Sequence, residues 1–288
     1  MYDKRNGGDF MLKDDNCNEI LEFYDSGAEI SILERGIGKI EYERTKEIIA
    51  RYLPKEKATI YDVGGGIGIY SKWLSKLGHE VHLIELSPNA VEYAKRMNAT
   101  IGSPIHSIEV GDALNINKPD ESADIVLLMG PMYHLIDIED RLKALNEAKR
   151  VLKKGALLIS AGITRYGSML WGLSVYGSKN TVLDEVEFVN MIKGEIKDGQ
   201  HIRPNKYPNF IARSYFHLPE EFENEIKNAG FIIGKTFAVE GPTWIVPTLN
   251  AVWESEESRK TILDMARMVE DDENIMAISP HFLSIAKK

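Results

Sequence analysis

The chain has 288 residues, of which 43% are hydrophobic and 27% are charged, and its formal net charge is -9. This composition is typical of a globular protein, and the acidic balance disfavours a broad electrostatic contact with nucleic acid or an anionic membrane. The single cysteine, Cys17, excludes an intramolecular disulfide and a site built from several thiolates. No apolar run is long enough to span a bilayer and the N-terminus lacks an apolar signal core, so we expect a cytoplasmic protein without a membrane partner.

We expect the N-terminal part of the chain to begin with a tail and to continue as helices. Residues 1–19 are polar and aperiodic, which predicts a flexible tail. From residue 20 to residue 53 apolar side chains recur at helical spacing, and we expect Gly36 and Gly38 to interrupt the pattern. Pro54 ends it. These helices are expected to cap the core that follows.

Strands and helices alternate along residues 58–163. Short apolar, β-branched runs predict five strands, at 58–63, 80–86, 105–112, 123–130 and 156–163. Amphipathic runs between them predict helices, at 70–78, 87–97 and 139–155. Such an alternation indicates an α/β fold with a doubly wound, mostly parallel sheet. Residues 20–163 are therefore expected to form the main core.

The alternation is interrupted twice after the fifth predicted strand. Residues 164–217 hold helical pieces and an irregular segment, which we interpret as a lid insertion. A helix at 219–230 and a strand at 231–241 resume the pattern. A second helical insertion follows at about 242–275, before a last strand at 281–286. Residues 218–288 thus complete a sheet of seven strands.

The turn after the first predicted strand is stripped of side chains. Asp62 precedes a cluster of four glycines, Gly64, Gly65, Gly66 and Gly68. Glycines let backbone amides approach a ligand closely, at the edge where open α/β sheets bind ligands. A dinucleotide fingerprint would require a third glycine five residues after the first, where this chain has Ile69. The turn therefore predicts a nucleotide-like ligand and disfavours NAD.

Two further acids stand at the ends of the next predicted strands. Glu85 ends the second strand, where a carboxylate can accept hydrogen bonds from both hydroxyls of a ribose. Asp112 follows the third strand and can accept a hydrogen bond from an adenine amino group. Because the ends of parallel strands share one edge of the sheet, these acids are expected to lie near the glycine turn.

This ordered set resembles the class I S-adenosylmethionine-dependent methyltransferases that act on small molecules. The resemblance covers most of residues 40–163, resumes at 219–286, and rests on five stretches, "DVGGGIG", "LIELS", "GDA", "ADIVLLMGPMYHL" and "EAKRVLKKGALLIS". It implies a Rossmann-like methyltransferase fold of seven strands. It also implies S-adenosylmethionine as the methyl donor and S-adenosylhomocysteine as the product.

The resemblance further implies roles for individual residues. Asp62 would orient the glycine turn, and Glu85 would hold the ribose, with Leu86 packed on the adenine. The other residues implied to contact the cofactor are Gly64, Gly65, Gly66, Gly68, Asp112, Ala113, Met129 and Gly130. An N-terminal helix closes over the cofactor in this family, which adds Tyr24 and Arg44 as contacts.

Residues around the methyl acceptor are less constrained, because methyl transfer from a sulfonium needs mainly alignment and the exclusion of water. Tyr133 and His134 follow the fourth strand, and His134 is a candidate base; the alternative is a histidine that caps the next helix or packs on the cofactor. The insertions offer further candidates to bind an anionic or aromatic acceptor, namely Arg165, Arg213, Tyr215, His217 and Trp244. Alternatively, their aromatic side chains form the core of the lid or a dimer contact.

The leading hypothesis is methyl transfer to an oxygen, nitrogen or carbon nucleophile of a small molecule. A regulatory module that binds the cofactor without turnover and a nucleotide-dependent oxidoreductase are the alternatives. The seven histidines are scattered along the sequence, so no metal site is predicted. A nucleic-acid partner is disfavoured by the net charge, and homodimerisation is left open.

Overall fold

A computed structural model describes Leu33, Gly102 and the ranges 36–99, 104–177, 179–207 and 210–288. The expected tail at 1–19 and the candidate cofactor contact Tyr24 lie outside these described residues. No helix in the described part of the chain combines the length and the apolar character that crossing a membrane requires.

Seven strands form one sheet, which confirms the predicted doubly wound α/β architecture. In chain order the strands of the protein are β1 (Thr59–Val63), β2 (Glu80–Glu85), β3 (Ser107–Val110), β4 (Ala123–Leu128), β5 (Leu152–Ile163), β6 (Gln200–His201), β7 (Ser214–Tyr215), β8 (Ile232–Ala238) and β9 (His281–Lys287). The large sheet has the order β3-β2-β1-β4-β5-β9-β8, while β6 and β7 pair separately. Within the large sheet, β9 runs antiparallel to both of its neighbours, and the other pairings are parallel.

Helices cover both faces of this sheet. In chain order they are α1 (Ile37–Ala50), α2 (Ile69–Lys76), α3 (Pro88–Asn98), α4 (Gly130–His134), α5 (Ile138–Val151), α6 (Gly167–Val175), α7 (Val186–Asp198), α8 (Pro219–Asn228), α9 (Leu249–Trp253), α10 (Glu256–Met268) and α11 (Glu273–Met276). One apolar layer joins α5 and α8 to the sheet, and a second joins α1, α2 and α3 to its other face. The sheet is therefore buried on both sides, as its continuous apolar strands require.

Two boundaries differ from the sequence-based expectation. The helix expected to run to Gly155 ends at Val151, because Leu152 already pairs with Ala123 of β4 and so belongs to the sheet. At the N-terminus, Gly36 has φ 54 and precedes α1, whereas Gly38 lies inside this helix rather than interrupting it. The first helical amides have no intrahelical partner, so a glycine so near the start disturbs few backbone bonds.

The two segments interpreted as insertions pack over the carboxyl edge of the parallel strands. The first contains α6, α7 and the pair β6–β7 around its own apolar cluster, which is centred on the fully buried Phe188. The second contains α9 and α10, and its Trp244 and Trp253 pack with Ile40 of α1. Trp171 of α6 packs against both clusters. This arrangement leaves a cavity between the insertions and the sheet edge.

Candidate functional site

The glycine turn leaves β1 through backbone conformations that favour glycine. Gly64, Gly66 and Gly68 have φ values of 68, 56 and 78, which side chains rarely permit. A Cβ on Gly64 would lie 2.6 Å from the ring of Pro131, which follows β4. The turns after β1 and β4 therefore touch through backbone and proline alone, and this contact forms one wall of the cavity.

Glu85 at the end of β2 is tied directly to the glycine turn. Its carboxylate accepts hydrogen bonds from the amides of Gly66 and Ser87, both at 2.8 Å. Burial raises the pKa of Glu85, although these backbone bonds favour the ionised form. Each carboxylate oxygen retains a lone pair for a second donor. The carboxylate thus stabilises the turn and still has capacity to accept hydrogen bonds from a ligand.

Asp62 packs against the glycine turn and α2 and is not part of the cavity wall. Its carboxylate accepts a hydrogen bond of 2.7 Å from Ser71 of α2, and a Cβ on Gly65 would lie 2.5 Å from its Cγ. Burial raises the pKa of Asp62 to about 6. The orienting role expected of Asp62 stays a prediction, and packing against Gly65 and the link to α2 are the contacts through which it would act.

Asp112 lies at the same edge of the sheet as Glu85. The amide of Gly111 donates to the carbonyl of Glu85 at 3.0 Å, while the Asp112 carboxylate accepts from the amide of Leu114 at 2.8 Å. The expected adenine neighbours therefore cluster at the ends of β2 and β3. Leu86 and Ala113 follow Glu85 and Asp112 in the chain, beside this edge.

A cavity of about 760 Å³ opens beside the glycine turn. Gly64, Gly65, Met129 and Gly130 line one end of it. Elsewhere its wall is mostly apolar and comes from α1, from the ends of β5 and β9, and from both insertions, with four aromatic residues from the insertions, Trp171, Phe210, Phe216 and Trp244. A volume of this size is typical of small-molecule sites.

The two candidates after β4 have different positions. Tyr133 lines the cavity, whereas His134 is buried and does not appear in the cavity wall. Burial, with a smaller effect of His201, lowers the pKa of His134 to about 3, so its imidazole is neutral at physiological pH. A neutral imidazole can accept a proton, but the structure does not bring this one to the surface that a ligand would meet.

The structure does not bring Arg165, Tyr215 and His217 to the cavity wall either. They belong to a polar cluster with Arg141 and Glu225, which we name the sealed cluster. Arg141 donates from Nε and Nη2 to the two carboxylate oxygens of Glu225, at 2.8 and 2.7 Å, and its guanidinium lies 3.9 Å from the ring centre of Tyr215. His217 Nε2 lies 3.4 Å from Glu225 Oε2. These contacts join the lid to α5 and α8.

Of the remaining candidate residues, one lines the cavity and two do not. Arg213 is partly buried and absent from the cavity wall, whereas Trp244 lines the cavity. Arg44 is fully buried but pairs with Glu47 and Glu270, and its Nε donates to the carbonyl of Val239. Its guanidinium is therefore committed to contacts within the protein rather than to the cavity.

Sequence reasoning missed a second group of polar residues at the cavity. Glu41 and His281 line the wall, and His281 Nδ1 lies 2.6 Å from Oε1 of the fully buried Glu240. Glu41 recurs with Ile37 and Thr45 at helical spacing on the cavity face of α1, which is the one signal that could have found it. No local pattern connects α1 with β9, so only the tertiary fold reveals the group.

Polar groups that are far apart in the sequence also meet in the lid, at β2 and beside α1. In the lid, Glu195 Oε1 accepts from Ser168 and contacts His201 Nδ1 at 2.6 Å, and both partners line the cavity. At β2, possible metal-binding atoms of Glu80, His82 and His106 lie within 4.8 Å of one another, as do those of Glu41, Glu240 and His281. The sequence-based expectation of no metal site stays a prediction, and it did not anticipate that these two groups lie together in space.

Comparison with known proteins places the glycine turn in a family. Residues 61–160 match the family described as "Methyltransferase domain". The chain is 29% identical over 127 residues to a ubiquinone biosynthesis O-methyltransferase from Paramagnetospirillum magneticum, a match that covers 44% of this chain and 48% of the relative. It is 25% identical over 221 residues to a ubiquinone/menaquinone biosynthesis C-methyltransferase from Campylobacter jejuni, covering 75% and 83%.

Solved structures agree at the level of the fold. A S-adenosylmethionine-dependent methyltransferase from Methanosarcina mazei superposes with a TM-score of 0.56 at 18% identity, covering 84% of this chain and 96% of that one. The chain therefore contains a methyltransferase domain at residues 61–160, within a fold that it shares with S-adenosylmethionine-dependent methyltransferases. It spans about half the length of the first curated relative given above. These comparisons support the family that the glycine turn and the two acids indicated.

Proposed function

We propose that the protein binds S-adenosylmethionine and transfers its methyl group to an oxygen, nitrogen or carbon nucleophile of a small molecule, leaving S-adenosylhomocysteine. The observation that carries this proposal is the hydrogen bond of 2.8 Å between the Gly66 amide and the Glu85 carboxylate. It joins an acid that can receive a ribose to the glycine turn, whose Gly64 and Gly65 line the cavity, while Glu85 itself is buried and is not part of the cavity wall.

The residues at this edge fit the cofactor. Gly64 and Gly65 present only backbone to the cavity, and a Cβ at Gly64 could not be accommodated next to Pro131. Glu85, Leu86, Asp112 and Ala113 would hold the adenosine, and Met129 and Gly130 would meet the methionine moiety. When bound, the cofactor supplies a methyl group on a sulfonium, which is a strong electrophile with a neutral leaving group.

The chain's own contribution to transfer is alignment and the exclusion of water. The wall formed by Trp171, Phe210, Phe216 and Trp244 buries an apolar acceptor beside the glycine turn. Such a wall restricts the approach of the nucleophile and keeps water from competing with it. Tyr133 lies where it could contact the acceptor. A base is required only where the acceptor must lose a proton to react.

A small-molecule acceptor agrees with three properties of the chain. The cavity is closed over by two insertions, the net charge is -9, and no lysine or arginine occurs among the described residues that line the cavity. An extended polyanion such as nucleic acid would lack cationic partners here. Relatives named for ubiquinone and menaquinone biosynthesis also act on small molecules.

Calorimetry and a turnover assay test the proposal together. S-adenosylhomocysteine should bind the purified protein at a single site, and NAD, added in a matched titration, should not. Radiolabelled methyl groups should then pass from S-adenosylmethionine to small molecules of a cell extract. Absence of binding would contradict the proposal outright. Binding without any transfer would instead favour the regulatory module that retains its cofactor.

A further inference from the structure

The described part of the cavity wall carries a carboxylate but no lysine or arginine. Glu41 is the one carboxylate among the described residues that line the cavity. Most of the remaining wall is aliphatic or aromatic. A ligand with a negative charge would therefore find no direct cationic side chain except an imidazole.

The carboxylate of Glu41 makes no hydrogen bond with the described residues. Its nearest opposite charge is His281, whose Nδ1 lies 3.8 Å from Glu41 Oε2. Arg44 lies one helical turn further along α1, but its guanidinium is occupied by Glu47 and Glu270. Among the described residues, the Glu41 carboxylate at the cavity wall therefore has no partner that satisfies its oxygens.

His281 cannot compensate Glu41 fully, because its Nδ1, which is the ring nitrogen near Glu41, is already in contact with Glu240. Glu240 Oε1 lies 2.6 Å from His281 Nδ1, and Oε2 accepts from Ser279 and from the His281 amide, at 2.8 and 3.0 Å. Burial opposes the charged imidazole, but Glu41 and Glu240 together raise the pKa of His281 to about 9. We name Glu41, Glu240 and His281 the acidic corner, since it holds two carboxylates and one cation.

With two carboxylates and one cation, the acidic corner is one positive charge short. Burial raises the pKa of Glu41, which means that the protein itself stabilises the ionised carboxylate poorly. A ligand cation placed at Glu41 would supply both the missing charge and the missing hydrogen-bond donors. Aromatic faces of the wall, Trp171 and Trp244 among them, would add cation–π attraction and bury an apolar body.

We propose that the methyl acceptor is an amine with an apolar or aromatic body, whose cationic nitrogen docks on the Glu41 carboxylate. The docked ammonium would give one proton to this carboxylate, and its nitrogen lone pair would then bond to the methyl carbon as the carbon–sulfur bond breaks and S-adenosylhomocysteine leaves. This inference rests on the proposed methyl transfer, since it names the substrate class of that same cavity. It also replaces the sequence-based expectation of a basic wall, because Arg165 and Arg213 are absent from the wall. A divalent metal in the acidic corner is the competing occupant, but it would have to displace the proton between His281 and Glu240.

Tryptophan fluorescence can measure the preference, because Trp171 and Trp244 line the cavity. The protein is first saturated with S-adenosylhomocysteine and then titrated with 2-phenylethylamine, 2-phenylethanol and 3-phenylpropanoate, which share a body and differ in charge. We expect the amine to bind at least about tenfold more tightly than the alcohol, and the carboxylate to bind most weakly.

Glu41→Gln is the decisive variant. It should abolish the preference for the amine and leave the affinity for S-adenosylhomocysteine unchanged. Glu43→Gln is the matched control, because Glu43 lies two residues away in α1, is half-exposed and pairs with Lys46. This control should retain the full preference. Circular dichroism of both variants verifies that the fold is intact.

Each other outcome overturns the proposal. Wild-type protein that binds the three probes equally, or binds none of them, lacks the predicted recognition. If Glu41→Gln keeps the preference, another group provides it, and if Glu41→Gln weakens S-adenosylhomocysteine binding, Glu41 belongs to the donor site. Stabilisation of wild type, but not of Glu41→Gln, by Mg²⁺ or Zn²⁺ would assign the acidic corner to a metal. Failure of the proposed methyl transfer itself would appear earlier, as absence of S-adenosylhomocysteine binding.

Discussion

The acidic corner and the sealed cluster each pair a histidine with a glutamate, yet the two histidines differ in charge. In the sealed cluster, burial raises the pKa of Glu225 but hydrogen bonds from Arg141 outweigh it, lowering that pKa to about 2. Burial then lowers the pKa of His217, which stays neutral. In the acidic corner no arginine is present, and the charges of Glu41 and Glu240 raise the pKa of His281 to about 9.

The difference shows how a single arginine separates a structural cluster from a binding site. Arg141 satisfies Glu225 with two hydrogen bonds and uses Nη1 on the carbonyls of Leu135 and Ile136. Nothing in that cluster faces the cavity. In the described part of the chain no arginine pairs with Glu41, which lies at the cavity wall, so we expect its carboxylate to be available to a ligand.

The largest effect is expected when the sealed cluster loses its arginine. Arg141→Met leaves the Glu225 carboxylate buried without its main partner, which should lower the free energy of unfolding by about 3–5 kcal/mol. Urea denaturation measures this change. The double variant Arg141→Met/Glu225→Leu replaces the pair by apolar side chains and should recover most of the loss. A single variant as stable as wild type would show that the pair contributes nothing to the lid.

The acidic corner should reveal itself in the pH dependence of stability. The pKa of His281 rises from 6.5 to about 9 on folding, so its contribution is complete below pH 6.5 and disappears as the pH rises through 9. The loss between these limits is on the order of 3 kcal/mol for wild type. It should be absent from His281→Gln. Urea denaturation at several pH values measures the free energy of unfolding of both proteins. The same dependence on pH in both would show that His281 is not charged in the folded protein.

Much of the fold could be predicted because its causes are local. Apolar, β-branched runs separated by capped helices determine a mostly parallel sheet, and the sheet forms with seven strands, of which only β9 among the described strands of this sheet is antiparallel to its neighbours. The end of α5 could not be predicted, since the pairing of Leu152 with Ala123 depends on a strand 29 residues away. That the glycine turn and Glu85 lie together could be predicted because neighbouring strand ends must meet at one edge, and a hydrogen bond joins them.

The acceptor side of the site depends on tertiary packing, which the sequence does not display. A spacing of two residues in an extended segment puts Tyr215 and His217 on one side of the chain, and their ring centres lie 4.7 Å apart. It does not indicate which side meets the cavity, and the structure places Phe216 there instead. The acidic corner joins α1 with the ends of β8 and β9, and no local spacing connects these elements.

The affinity of Glu85→Gln for S-adenosylhomocysteine tests the central claim most directly. Glutamine keeps the size of the side chain but loses the charge and one acceptor oxygen. The ribose hydroxyls would therefore lose one of the two oxygens that accept their hydrogen bonds. Calorimetry should show binding weakened by about tenfold or more, while Glu92→Gln, an exposed glutamate of α3 paired with Lys95, should match wild type. Unchanged affinity in Glu85→Gln, with the fold intact, would contradict a donor site at this edge of the sheet.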